Sequence, residues 1–159
     1  DMRWMQVAIR PAKPLAFGLV PGPQGTPVPV FGLPGNPVSS MVSFALFARP
    51  ALRRLAGHPD GRLHLPRLAA LADEPLTRRP DGKTHFVRVI AAVDSDRHGL
   101  LRVRSSGGQG SHQLGAMARA DALAVVPDGE GVAAGDLVEV ILLGEPPILG
   151  GPAVRPFAS

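Results

Sequence analysis

Near residue 60 the spacing of apolar side chains changes from a helical to an alternating period, and no single regular element satisfies both. Upstream of that point Val38, Met41, Val42, Ala45, Leu46, Leu52 and Leu55 recur every three or four positions. That spacing predicts one long helix over about residues 38–56. Pro50 lies inside it and should bend it, because proline removes a backbone donor and crowds the preceding turn. Arg53 and Arg54 fall in its last turn, where cations suit the negative dipole end, and Gly57 then Pro59 signal the stop. Downstream, "RLHLPRLAALA", "THFVRVIAAV", "LLRVRS", "ALAVVP" and "DLVEVILL" read as short strands parted by turn clusters such as "RPDGK" and "PDGEGVAAGD". The expected fold is a mixed α/β piece over residues 1–58 followed by a small β-barrel-like, all-β domain over 59–145. The Pro- and Gly-rich stretch 146–159 is expected to be an irregular tail. Before the helix, "WMQVAI", "LAFGLV" and "VPVFGL" are three further strand candidates. Because "DMRWMQVAIR" is already strand-like at residue 1, the chain reads as a piece of something longer.

Charge sharpens this division. Residues 1–57 carry six bases (Arg3, Arg10, Lys13, Arg49, Arg53, Arg54) and one acid, Asp1, a balance of +5. The remaining 11 bases and 12 acids balance at −1. A basic first part suggests an anionic ligand. Nucleic acid is disfavoured, since aromatics make up 4% with no Tyr, and no helix carries a continuous basic stripe. The absence of cysteine excludes disulfides and thiolate metal sites. No apolar run is long enough for a membrane span and no signal peptide is present, so a cytoplasmic protein is expected.

Three stretches carry residue types suited to chemistry. In "FGLPGNPVSS", Asn36 in the N-cap position and Pro37 at the first helical residue make a well-formed helix start. Alternatively, Pro34, Gly35, Asn36 and Pro37 form a strand-to-helix turn whose unpaired N–H groups converge on an anion, with Ser39 and Ser40 adding hydroxyls. In "RPAKP", Arg10 and Lys13 stand between prolines that stiffen the turn, either as a solvated charged turn or as a held pair of cations. In "RSSGGQGSHQLG", Gly107, Gly108 and Gly110 accompany Ser106, Gln109, Ser111 and His112 in a polar loop. Its spacing fits neither a dinucleotide fingerprint nor a P-loop. Ser111 and His112 are sequence neighbours whose side chains diverge, so they make a poor nucleophilic pair. His58, His64, His85 and His98 show no metal-ligand spacing.

Taken in order, "IRPAKPLAFG", "VFGLPGNPVSSMVSF", "LRRLAG", "GGQGSHQL" and "ADALAVVPDGEGVAAGDLVEVILL" make the chain similar to the C-terminal part of molybdopterin molybdenumtransferases, the enzymes that insert molybdenum during cofactor synthesis and whose eukaryotic relative is gephyrin. The resemblance implies that residues 1 to about 58 end a three-layer α/β molybdopterin-binding domain and that a small β domain follows. It also implies that adenylylated molybdopterin and molybdate are substrates, that AMP is released, and that the full-length protein is a homodimer. The family's basic turn falls on Arg10 to Pro14, with Arg10 for a Lys and Ala12 for a Gly. Its Pro-Gly-Asn-Pro turn is unchanged at Pro34, Gly35, Asn36 and Pro37, with Ser39 following, and its Gln-Gly-Ser-His loop is Gln109, Gly110, Ser111 and His112. Arg88 in "HFVRV" corresponds to a basic residue facing the same cleft. The family also uses Mg²⁺, but residues 2–57 hold no carboxylate. Its ligands are therefore expected upstream of this chain, which would be incomplete for catalysis by itself. A non-catalytic anion-binding or protein-interaction scaffold is the alternative.

Overall fold

A computed structural model describes residues 1–94 and 99–144. The expected tail 146–159 and His98 lie outside the described residues. The chain divides into two compact units, the first Asp1–His64 and the second starting at Leu65.

The first unit holds β1 (Met2–Gln6), the two-residue β2 (Ile9–Arg10), β3 (Pro14–Pro21) and β4 (Pro27–Gly32). Strands β1, β3 and β4 form an antiparallel sheet in that order. Proline cannot donate to a ladder, and here Pro14, Pro21, Pro27 and Pro29 sit at strand ends or on the outer strand β4. Phe17 and Phe31 face each other across β3 and β4, with ring centroids 4.9 Å apart. A three-stranded antiparallel sheet and one long helix dominate this unit, and the described residues do not show it to be the end of a three-layer α/β domain, as the resemblance implied.

That helix consists of α1 (Pro37–Ser43), a π turn over Phe44–Ala48, and α2 (Arg49–Leu55). Pro50 offers no N–H to the preceding turn, and immediately upstream the chain widens so that the Arg49 N–H reaches back to the Phe44 carbonyl. The extra residue in that turn advances the helix by about 100°. It breaks the single apolar face expected from the sequence. Val38 and Val42 are fully buried, but Leu52 and Leu55 are exposed. At the C-terminus the Gly57 N–H reaches the Arg54 carbonyl and the His58 N–H that of Arg53, a Schellman closure that the left-handed Gly57 (φ 79°) allows.

The second unit contains β5 (Arg67–Ala72), β6 (Leu76–Thr77), β7 (Thr84–Asp94), β8 (Leu100–Ser105), α3 (Leu114–Ala118), β9 (Ala122–Val126), β10 (Gly131–Val132) and β11 (Leu137–Leu142). Pairing runs β7-β8-β5-β11-β9, and β9 pairs back to β7. The result is a closed five-stranded barrel. Only β5 and β8 pair in parallel among these neighbours. The interior is filled from alternate positions, among them Val89, Val103, Ala122, Ala124, Val126, Val138 and Val140, with Ala70 and Ala72 from β5. So few strands enclose little space, which explains the alanines. The small helix α3 and the pair β6–β10 were not expected from the sequence, because each is too short to show a period.

At the β6 end of the barrel Arg78 is a buried knot, its side chain 2% exposed. Nη1 donates to the carbonyls of Lys83 (2.5 Å) and Pro127 (3.0 Å), and Nη2 to the carboxylates of Asp81 (2.6 Å) and Asp128 (2.7 Å). Burial opposes ionisation of Asp81. Hydrogen bonds from Lys83 and His85, with their charges, outweigh it and hold the Asp81 pKa at about 2, against an ordinary 3.8. A carboxylate whose pKa is lower in the folded chain contributes stability that is full above its unfolded value and fades as pH falls through the folded one. The thermal midpoint is therefore expected to drop between about pH 4 and pH 2, and Asp81→Asn should flatten that slope. An Asp81→Asn curve parallel to wild type would refute the assignment.

Candidate functional site

Strand β7 alternates. Val87, Val89, Ala91 and Val93 turn toward the barrel core, so Arg88 projects from the opposite face. An outward arginine is ordinarily solvated, yet Arg88 is fully buried. The reason is local. Beyond the last β7–β8 pair, Val89 opposite Ser105, the chain does not leave the strand but folds back over it as a loop from Ser106 to Gln113.

Side chains hold this loop. The Ser106 N–H donates to the Arg88 carbonyl (3.0 Å), and its Oγ, with one proton to give, lies within reach of the Ala116 carbonyl in the middle of α3 (2.8 Å) and of the Arg88 carbonyl (3.2 Å). The Gln109 amide takes both backbone groups of Arg88: Oε1 accepts the Arg88 N–H at 2.9 Å and Nε2 donates to its carbonyl at 3.1 Å. Gln113 Oε1 accepts the Gly110 N–H, and Arg119 donates to the Ser106 carbonyl. A Cβ at Gly108 would stand 2.0 Å from Gln113 Oε1, so a side chain there would push the Gln113 amide off the Gly110 N–H. Ser106, Gln113 and Arg119 were not singled out for this from the sequence; loop contacts of this kind follow no period.

Beneath the loop, Arg88 Nη2 donates to the carbonyls of Gly108 (2.8 Å) and Gly110 (3.2 Å). Its Nε and Nη1 are buried with no partner among the described residues. No carboxylate of the described residues is hydrogen-bonded to the guanidinium, and burial alone pushes its pKa down from the ordinary value. An ionised group removed from water without compensation is strongly unfavourable. A guanidinium with spare N–H donors is the side chain best suited to hold an oxyanion. Of the remaining residues expected in the loop, Ser111 is half-buried and His112 exposed, just ahead of α3.

In the first unit the basic turn is the hairpin connection between β1 and β3, closed by the Val7 N–H on the Lys13 carbonyl at 2.8 Å. Arg10 and Lys13 are exposed. Ala12 is 4% exposed and has φ 85°, a left-handed conformation in which a Cβ is strained. Ala12→Gly is expected to raise stability by about 1 kcal/mol by relieving that strain. Chemical denaturation measures it, and an equal or lower midpoint contradicts the reading.

The Pro34–Pro37 turn differs from the helix-start expectation. Asn36 makes no side-chain cap; its carbonyl accepts the Ser40 N–H at 2.8 Å, while its backbone stays extended. Capping is thus not what Asn36 contributes. Gly35 is exposed, lies outside the left-handed region, and has nothing within 4 Å of where a Cβ would stand. Ser39 is buried in the first turn of α1. An open groove on the barrel, lined by Arg67, Leu68, Leu137 and Glu139, contains none of these residues. Among the described residues no three His, Asp or Glu side chains gather as a metal site, and no helix is long and apolar enough to cross a membrane.

Residues 70–143 match the family model described as MoeA C-terminal region (domain IV). Molybdopterin molybdenumtransferase 2 of Mycobacterium tuberculosis is 38% identical over 140 residues, covering 87% of this chain and 31% of that protein. The molybdopterin molybdenumtransferase of Haemophilus influenzae is 31% identical over 141 residues (88% of this chain, 33% of that protein). Gephyrin of Dictyostelium discoideum is 31% identical over 156 residues (87% of this chain, 21% of that protein). The chain thus spans about a third of the length of the molybdenumtransferases it matches. A crystal structure of the molybdopterin biosynthesis moeA protein from Pyrococcus horikoshii OT3 superposes with a TM-score of 0.65 at 22% identity, covering 89% of this chain and 32% of that one, a likeness of fold.

Proposed function

We propose that this chain, whose residues 70–143 match the family model described as MoeA C-terminal region (domain IV), is the C-terminal part of a molybdopterin molybdenumtransferase. In this reading it serves molybdenum-cofactor biosynthesis, in which molybdate is inserted into adenylylated molybdopterin and AMP is released. Residues 1–64 would be the end of the α/β molybdopterin-binding domain.

The observation that carries the reading is Arg88, buried with Nε and Nη1 unpaired beneath the Gly107–Gly110 loop. Molybdate is a small tetrahedral oxyanion, and N–H donors fixed in a desolvated setting suit such a charge. Arg10 and Lys13 are cations on a turn stiffened by Pro11 and Pro14, suited to the phosphate groups of the adenylylated pterin. The turn at Pro34, Gly35, Asn36 and Pro37, with Ser39 behind it, presents open space beside the first N–H groups of a helix, where a further phosphate oxygen fits. Gly110, Ser111 and His112 would border the same anion as Arg88. None of these groups is a nucleophile. Their part is to bind, orient and stabilise developing negative charge.

Mg²⁺ does not fit this chain's own residues. Hard cations need several oxygen ligands, and among the described residues no acidic cluster supplies them.

The test is AMP release. The full-length protein carrying this chain, supplied with adenylylated molybdopterin and Mg²⁺, should release AMP only when molybdate is added. Absence of release, or release independent of molybdate, would leave a binding or scaffold role in its place.

A further inference from the structure

We propose that Gln109 is a positioning residue: it does not touch the anion, but clamps the loop in the one geometry that leaves Arg88 Nε and Nη1 available to it. The inference rests on the reading of Arg88 as an anion receptor.

The argument starts from what a carboxamide can do. It has one acceptor oxygen and two N–H donors. In Gln109 all are engaged. Oε1 takes the Arg88 N–H, while Nε2 faces the Arg88 carbonyl (3.1 Å), Ser105 Oγ (3.0 Å) and the Gly107 carbonyl (2.8 Å). No donor remains to offer an oxyanion, and the oxygen would repel one.

Its position has a second consequence. The β7–β8 ladder ends at Val89 and Ser105, and one residue further Arg88 needs partners for its own N–H and carbonyl. The Ser106 N–H still reaches the carbonyl, but the Arg88 N–H is met by the Gln109 side chain alone, whose Nε2 also joins Ser106 on the carbonyl. The two carbonyls that hold Arg88 Nη2, those of Gly108 and Gly110, are its immediate neighbours in sequence. Fixing the Gln109 amide on the Arg88 backbone therefore fixes both carbonyls over the Arg88 guanidinium. Main chain and side chain of one arginine are tied to a single three-residue segment. Without the clamp, the glycine-rich segment is held only at its ends, by Ser106 and by Gln113, and between them its carbonyls are free to fold onto Nε and Nη1 or to release Nη2.

The experiment is a double-mutant cycle in the full-length protein, with calorimetric titration of molybdate into wild type, Arg88→Met, Gln109→Met and the double variant, after melting curves establish that each is folded. Arg88→Lys and Gln109→Asn replace either Met variant that does not fold. Amide hydrogen exchange at Arg88 is measured in wild type and the Gln109 variant. The expected result is a loss of about tenfold or more in affinity for Gln109→Met, no further loss when it is added to Arg88→Met, and faster exchange at the Arg88 amide. Losses that multiply in the double variant would mean that Gln109 meets the anion itself, and overturn the proposal. So would a Gln109 variant that melts lower yet binds as wild type, while Arg88→Met binds weakly; the Arg88 reading then stands. Wild-type affinity in Arg88→Met overturns that reading, and the inference resting on it falls too.

Discussion

Arg88→Met in the full-length protein is expected to lower molybdate affinity by about a hundredfold while leaving the melting temperature unchanged or higher. The first effect follows from losing at least two charge-assisted hydrogen bonds at about 1.5 kcal/mol or more each. The second follows from what the arginine does in the free protein. It lies fully buried, and among the described residues Nε and Nη1 have no partner and no carboxylate is hydrogen-bonded to it. Removing such a charge in favour of an apolar side chain of similar length relieves desolvation, so stability has nothing to lose beyond two bonds to glycine carbonyls. Titration and melting curves on the same preparation decide the matter. A variant that melts several degrees lower and binds molybdate normally would make Arg88 structural and remove it from the site.

The opposite outcome is expected for the second buried arginine. Arg78→Met should destabilise the barrel by about 3–5 kcal/mol without changing the molybdate affinity of the molecules that remain folded. Arg78 is as hidden as Arg88, but its guanidinium is met by the carboxylates of Asp81 and Asp128 and by the carbonyls of Lys83 and Pro127. Taking it away leaves these groups clustered without their donor. Asp128 compounds the loss, because it also accepts the N–H groups of Asp81 and Gly82 and so secures the turn before β7. Denaturant titration measures the change. A loss below about 1 kcal/mol would show that the knot is a solvated surface feature. The two arginines thus separate a group placed for a ligand from one placed for the fold, and the difference lies in which of them the protein itself satisfies.

Neither role is legible from a single position. "HFVRV" and "LTRRPDG" both read as strand or turn residues with an ordinary surface cation. What the chain does declare locally is what near neighbours decide. Alternation predicts β7, β8, β9 and β11, because a half-buried strand repeats every two residues whatever surrounds it. Gly57 after Arg53 and Arg54 predicts the helix end, because the left-handed closure needs only the last turn. The stiffened "RPAKP" turn with its two exposed cations belongs to the same class. Where sequence reasoning went astray, a distant or competing interaction prevailed: the π turn ahead of Pro50 rotated Leu52 and Leu55 off the expected face, and Asn36 extended the chain into the helix without capping it.

The candidate site itself belongs to the tertiary structure. Sequence alone placed a glycine-rich polar loop within residues 104–115 and a cation at Arg88, well apart in the chain. That the loop returns over the outward face of β7, that Gln109 spends its amide on the Arg88 backbone, and that two N–H-bearing nitrogens of the guanidinium are buried with no partner among the described residues depend on closure of the five-stranded barrel. Periodicity reports which face of a strand meets the core it helps to form; it carries no information about what an irregular segment will lay across the other face, because that contact is set by where the barrel brings the two ends of the loop.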